Sequence, residues 1–194
     1  MNEFIIKKLT ELLMTDSMDD YEAEILEYGI ATMVLNLPKS VFLVIIAKKL
    51  GLMKPLLLVF LFYGIIRGFS RGVHAKTPLG CFIVGMANYL GITYFSRTIT
   101  VPQKAYHAIY AYCAYVFYRY APSGTEKNPM YKDQIKPLKI RSLLTVIAYY
   151  IIGLKKHGLI RNVMMLAVLS QSFSILPITY VLTKQKGGIV HEEE

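Results

Sequence analysis

Apolar residues come in blocks along this chain, neither alternating as in a half-buried strand nor confined to the single stripe of a soluble helix. VFLVIIA from Val41, PLLLVFLFYGII from Pro55, LLTVIAYYIIGL from Leu143 and VMMLAVLSQSFSILPITYVL from Val163 are nearly uninterrupted and bounded by Lys or Arg. Blocks of this kind are the pattern of helices that cross a hydrocarbon layer ~30 Å thick. They predict about six spans: Gly29 to Leu50, Pro55 to Phe69, Leu79 to Phe95, Ala105 to Tyr120, Ile140 to Leu154 and Leu159 to Leu182. Several are short for that thickness, so snorkelling Lys and Arg or local thinning is expected. With no internal repeat, the chain reads as one all-α, polytopic membrane domain over 1–194. Its parts are an N-terminal helical region (1–28), the transmembrane bundle (29–182) and a tail (183–194).

The first fourteen residues place Phe4, Ile5, Leu9, Leu12 and Leu13 at roughly helical spacing. This fits an amphipathic helix lying on the membrane surface or packed on the bundle, and equally a soluble helical cap. Met1 to Glu27 is rich in Asp and Glu and has no continuous apolar core, which argues against a cleavable signal peptide.

Composition agrees with the pattern: 54% of residues are hydrophobic, high for a water-soluble chain. The net charge of +9 is spread among the segments between apolar blocks, so it reads as a topology signal and not as a nucleic-acid surface. With the N-terminus inside, thirteen Lys and Arg fall in inner segments and eight in outer ones, leaving out Lys39 within the first span. The count puts both termini, and the stretch from Arg67 to Cys81, on the cytoplasmic side of the membrane. Tyr106, Tyr110, Cys113, Phe117 and Tyr118 trace one side of the fourth span, as a packing face with an aromatic belt would.

Chemistry concentrates in RGFSRGVHAKTPLGC, Arg67 to Cys81, which holds one of four histidines and one of two cysteines. Both cysteines, Cys81 and Cys113, lie in or beside spans, so a structural disulfide is not expected. His74, His107, His157 and His191 are scattered and no second ligand follows Cys81 at metal spacing, so neither metal nor cofactor is expected. On an unbroken helix His74 and Cys81 would stand ~10 Å apart along the axis, beyond hydrogen-bond reach. A working pair needs an interruption. Gly68 and Gly72 loosen the end of the second span, and Thr77-Pro78 reads as an N-cap followed by proline at the first helical position. Cys81 then falls in the first turn of the third span, where backbone N–H groups and the helix dipole, with Arg67, Arg71 and Lys76 near in sequence, favour a thiolate. His74 on the returning loop could take the thiol proton and later release it to a leaving amine. The spacing alone also fits an interfacial histidine and a small core cysteine.

Taken together, the chain resembles the AgrB family, the accessory gene regulator protein B of Gram-positive quorum-sensing systems. The resemblance rests on Arg67, Gly72, His74, Ala75 and Cys81, on YAPSGTEKNP from Tyr120 with the basic segment after it, on EYGIATMVLNLPK from Glu27 and on QSFSILP from Gln171. One departure is Arg71, where the family pattern leads us to expect a second small residue before Gly72. The resemblance implies a membrane cysteine endopeptidase that cuts the propeptide AgrD and helps turn it into a cyclic signal, with Cys81 as nucleophile and His74 as general base and acid. Arg67, Gly72, Thr77 and Pro78 would support the loop. The partners implied are a propeptide with an amphipathic leader and an acidic tail, membrane lipid and a second copy of the chain as a homodimer, but no nucleic acid.

The segment Tyr120 to Arg141 reads as a basic loop whose Lys132, Lys136 and Lys139 could hold an acidic peptide tail or anchor the loop on anionic lipid. Asn36, Asn88, Gln171 and Ser70 are all candidates for a third group that orients His74. The rival class is a small membrane transporter or peptide-binding subunit without catalysis; the near absence of charges within the spans weighs against it.

Overall fold

The protein is known from a computed structural model that describes residues 2–15, 18, 20–73, 77–125, 130–185 and 189–190. Two units are compact in themselves, Met1–Lys49 and Leu50–Glu194. The first contains α1 (Asn2–Leu13) packed on α2 (Asp20–Lys49). Phe4 and Leu12 of α1 are exposed, as are Met33 and Leu37 of α2, so these helices leave apolar side chains outside the unit's own packing. A helix is present where the N-terminal spacing predicts one, and the first apolar block is the C-terminal part of a longer helix that carries Pro38 within it.

The second unit contains α3 (Met53–Ser70), α4 (Pro78–Thr98), α5 (Gln103–Tyr120), β1 (Met130–Tyr131), α6 (Lys132–Lys155), α7 (Leu159–Ile175), α8 (Pro177–Leu182) and β2 (Ile189–Val190). The two-residue strands pair in parallel, Met130 with Ile189 and Tyr131 with Val190. Helices dominate, and the chain is an all-α polytopic membrane protein. Among the described residues, Gly29–Lys49, Met53–Ser70, Leu79–Thr98 and Lys132–Lys155 are long and apolar enough to cross a membrane, and Leu159–Ile175 is a shorter apolar helix.

The sixth predicted span needs correction. It does not run to Leu182: α7 ends at Ile175, and α8 restarts at Pro177, whose ring and missing N–H disfavour continuation of the preceding helix. The fourth block, α5, equals α3 in length, but Gln103, Lys104, His107 and Arg119 dilute its apolar character. The expected loop from Tyr120 to Arg141 is helical from Lys132 onward, with Pro137 accommodated near the helix start.

The core is built around α7, which packs on α3, α4, α5 and α6. Its central position follows from its residues: Val163, Met164, Met165, Ala167, Val168 and Ile175 are buried on several sides, so no single face is left for solvent or lipid. Small residues let neighbours close in. At Gly153 a Cβ would collide with the Tyr106 hydroxyl, which donates to the Tyr150 carbonyl at 3.0 Å and so ties α5 to α6. Tyr106, Tyr110, Cys113 and Phe117 line the buried side of α5 as their spacing predicts. Tyr118 does not belong to that side: it is 64% exposed and lies under the Lys139 ammonium, 5.2 Å from the ring centre. Outward positions on α3, α4 and α6, such as Leu57, Ile83 and Ile147, are exposed and apolar, which suits helices solvated by lipid.

Candidate active site

The site begins where α3 stops. Its last turn closes with the Arg71 N–H donating to the Arg67 carbonyl at 2.9 Å, and Arg71 then turns to φ 57°, ψ −135°. Gly72 follows at φ 120°. Two consecutive positive φ values take the chain sharply off the helix axis, and such backbone is rarely adopted except by glycine. The conformation of Arg71 accounts for the expectation of a small residue there: this chain places a long side chain where glycine would be unstrained. At Gly72 the reason for glycine is also spatial. A Cβ would sit 2.6 Å from Ser174 Oγ and 3.1 Å from the Ser174 carbonyl.

Three distant segments hold this turn. Arg71 and Ser123 form an isolated parallel bridge, with the Gly72 N–H donating to the Ser123 carbonyl at 2.7 Å and the Ser123 N–H to the Ser70 carbonyl at 3.0 Å. The Tyr180 hydroxyl of α8 donates to the Ser123 carbonyl at 3.1 Å, a second donor on the group that accepts from Gly72. From α7, the Ser174 carbonyl accepts the Val73 N–H at 3.1 Å. Arg67 completes the clamp. One guanidinium nitrogen donates to the Val73 carbonyl at 2.8 Å; the other reaches Gln171 Oε1 at 3.2 Å and Ser174 Oγ at 3.3 Å. Gln171, fully buried, spends its amide nitrogen on Ser70 Oγ at 2.7 Å and the Arg71 carbonyl at 2.5 Å. Val73 therefore has both backbone polar groups fixed. It is the residue immediately before His74.

His74, Ala75 and Lys76 lie outside the described residues, as does Lys127 of the basic segment. The chain is described again at Thr77, which caps α4 as its sequence predicts. Its hydroxyl accepts the Gly80 N–H at 3.0 Å, Pro78 opens the helix, and the Cys81 N–H donates to the Thr77 carbonyl at 2.9 Å. Cys81 is half-buried in the first turn, its thiol free; Cys113 is a buried free thiol in the middle of α5. The chain is thus held at Val73, immediately before His74, and the next described residue, Thr77, caps a helix.

The candidates for a third group separate. Asn88 accepts the Ser170 hydroxyl at 2.5 Å, Ser70 donates to the Ile66 carbonyl at 2.7 Å, and Gln171 is committed to Arg67 and Arg71. Asn36 belongs to the other compact unit. Lys132, Lys136 and Lys139 share one face of α6 at i, i+4 and i+7, with Lys132 and Lys136 exposed and Lys139 half-buried. Sequence reasoning missed Ser123, Ser174 and Tyr180. Its one available signal was the presence of Gln and Ser inside an otherwise apolar helix, QSFS from Gln171, since polar groups within a span face protein partners and not lipid.

Comparison with known proteins bears on this arrangement. The family model described as Accessory gene regulator B matches residues 4–175. An AgrB-like protein of Clostridium acetobutylicum is 24% identical over 199 residues, covering 98% of this chain and 94% of the relative. The accessory gene regulator protein B of Staphylococcus intermedius is 24% identical over 174 residues, 90% of this chain and 93% of its own length. Protein FsrB of Enterococcus faecalis is 24% identical over 179 residues, covering 91% of this chain and 73% of the relative. No solved structure matches.

Proposed function

The chain belongs to the accessory gene regulator B family, and on that premise we propose that it is a membrane cysteine endopeptidase that cleaves the C-terminal tail from an AgrD-like propeptide and promotes cyclisation of the remainder into a quorum-sensing peptide. The observation that carries the reading is the construction around the Arg67–Cys81 stretch. A strained turn is clamped up to Val73, the residue before His74, and Cys81 lies in the first turn of the capped helix that follows, which supports this reading.

The chemistry follows from the two side chains. His74 takes the Cys81 proton as Sγ attacks the carbonyl carbon of the scissile peptide bond, and the positive end of α4 favours the negative charge that develops. The tetrahedral intermediate collapses by breaking the C–N bond, and the leaving amine receives the proton from His74. The acidic tail departs and the leader remains as a thioester on Cys81. A Cys thiol or Ser hydroxyl within the peptide then attacks that carbonyl, closes the ring and returns the proton through His74 to the Cys81 thiol. No water is consumed, and exclusion of water at a membrane boundary helps the ring compete with hydrolysis.

The membrane location is a property of the family and of these helices; a cytoplasmic site and cytoplasmic termini are part of the proposal, supported by the Lys and Arg distribution. The face of α6 bearing Lys132, Lys136 and Lys139 would attract the acidic tail, and an amphipathic leader would confine the substrate to the same surface, raising its effective concentration.

The test is reconstitution in lipid with the propeptide, followed by intact mass. Cys81→Ala and His74→Ala should each abolish cleavage while the protein still inserts, and Cys113→Ala should leave it. A leader fragment lighter than its free acid by one water marks ring closure. Cleavage at the wild-type rate by Cys81→Ala would overturn the reading.

A further inference from the structure

We propose that Gln171 is the positioning residue of this site, acting through Arg67 and the Arg71 carbonyl to fix the point from which His74 departs. The inference rests on the endopeptidase reading and adds to it a role for a residue 90 positions from the nucleophile in sequence. Gln171 sits on the central helix with no exposed surface, and both ends of its amide are used. The carbonyl end accepts from Arg67 at 3.2 Å, and the nitrogen end donates to Ser70 Oγ at 2.7 Å and to the Arg71 carbonyl at 2.5 Å.

These bonds are not interchangeable with packing. An arginine guanidinium is a planar fork whose direction is set by what its several N–H groups meet. Held by Gln171 Oε1 and Ser174 Oγ on one nitrogen, the Arg67 guanidinium presents the other to the Val73 carbonyl at 2.8 Å. The same amide meets the carbonyl of Arg71, the residue at φ 57°, whose conformation needs outside support to persist. One side chain thereby supports both ends of the Arg71–Val73 turn. Nothing in this arrangement requires Gln171 to touch a substrate. Its effect on the reaction is carried by where His74 begins.

The experiment uses the full-length protein in lipid with Cys113→Ala as background, which leaves Cys81 the sole thiol. Gln171→Met keeps length and bulk but removes both polar ends; Gln171→Glu keeps an acceptor for Arg67 and removes the amide donors. Three quantities are read: kcat and KM for propeptide cleavage, each per mole of folded protein, and the rate of Cys81 alkylation at neutral pH with no substrate present. Positioning predicts that Gln171→Met lowers kcat about tenfold to a hundredfold with KM within about twofold, since a small misplacement of a catalytic group acts on turnover. Alkylation of Cys81 should slow as well, and Gln171→Glu should lie between Met and Gln. The comparator is Asn162→Leu, a buried amide removed at the other end of α7, which should lower thermal stability yet leave kcat and alkylation per folded molecule unchanged. If Gln171→Met behaves like Asn162→Leu, with stability lost but kcat and alkylation intact, the positioning role is overturned while the endopeptidase reading stands. That reading has its own point of failure, persistence of cleavage in Cys81→Ala, which is independent of Gln171.

Discussion

The two ends of α7 use the same device for different purposes. Near its start, Asn162 donates both amide hydrogens to backbone carbonyls at 2.9 Å, those of Ser96 and Ile99, and so closes the turn between α4 and α5. Near its finish, Gln171 donates to the Arg71 carbonyl and Ser70 while accepting from Arg67. In both places a buried amide satisfies groups that neither water nor lipid can reach. The backbone being held is what differs. Ile99 is ordinary extended chain at φ −82°, whereas Arg71 and Gly72 are both at positive φ. Of these two held segments the strained one carries a non-glycine residue at positive φ, and it is the one beside Arg67, ending at the residue before His74. Strain persists where surrounding contacts over-determine it, and sites of chemistry are where folds commonly keep it.

A pair of glycine substitutions gives the sharpest test of that difference. Gly72 and Gly158 both adopt positive φ, but a Cβ at Gly72 meets Ser174 at 2.6 Å, while at Gly158 nothing lies within 4 Å. Gly158→Ala should therefore cost only the conformational penalty of about 1–2 kcal/mol, read as a lower Tm with cleavage intact. Gly72→Ala adds a clash inside the clamp, and propeptide turnover should fall about a hundredfold. Equal effects of the two changes on turnover would erase the distinction between the ends.

Next in size is Asn162→Ala, which leaves the carbonyls of Ser96 and Ile99 without their donor. A loss of about 1–3 kcal/mol is expected in thermal or denaturant unfolding, with turnover per folded molecule unaltered. Charge gives a third contrast. Replacing Lys132, Lys136 and Lys139 with Gln should raise KM several-fold at low ionic strength, and the effect should shrink as salt screens the charges. Replacing Lys155 and Lys156, at the opposite end of α6, should leave KM and its salt dependence as they were. The smallest effect expected is Arg71→Gly. Relief of the φ 57° conformation is worth about 1–2 kcal/mol, offset in part by the greater freedom of glycine in the unfolded chain, so Tm should rise slightly with cleavage retained. A clear loss of stability would mean that the arginine side chain contributes more than its backbone costs.

The features legible in the sequence are those whose partners lie within a turn or two. Thr77-Pro78 announced a helix start because a hydroxyl caps an N–H three residues on, and the apolar blocks announced the helices because lipid acts on each span separately. The buried side of α5 and the interruption between His74 and Cys81 were readable for the same reason. Arg67, Gly72 and Cys81 stood out through family resemblance, and the positive φ at Arg71 shows why that pattern expects a small residue there. What only the tertiary structure decided is set by contacts between residues far apart in the chain. Arg67 and Gln171 are separated by 104 positions, and Tyr180 reaches Ser123 across 57. Hydropathy marks Gln171 as a polar residue in an apolar helix, but its partner depends on which helices surround α7. The end of the sixth helix at Ile175 and the helical start at Lys132 were likewise hidden, because proline is compatible with either outcome: Pro38 and Pro137 lie inside helices, whereas Pro177 opens a new one. Local chemistry fixes caps and spans; the direction of a guanidinium in a buried clamp is fixed by the whole bundle at once.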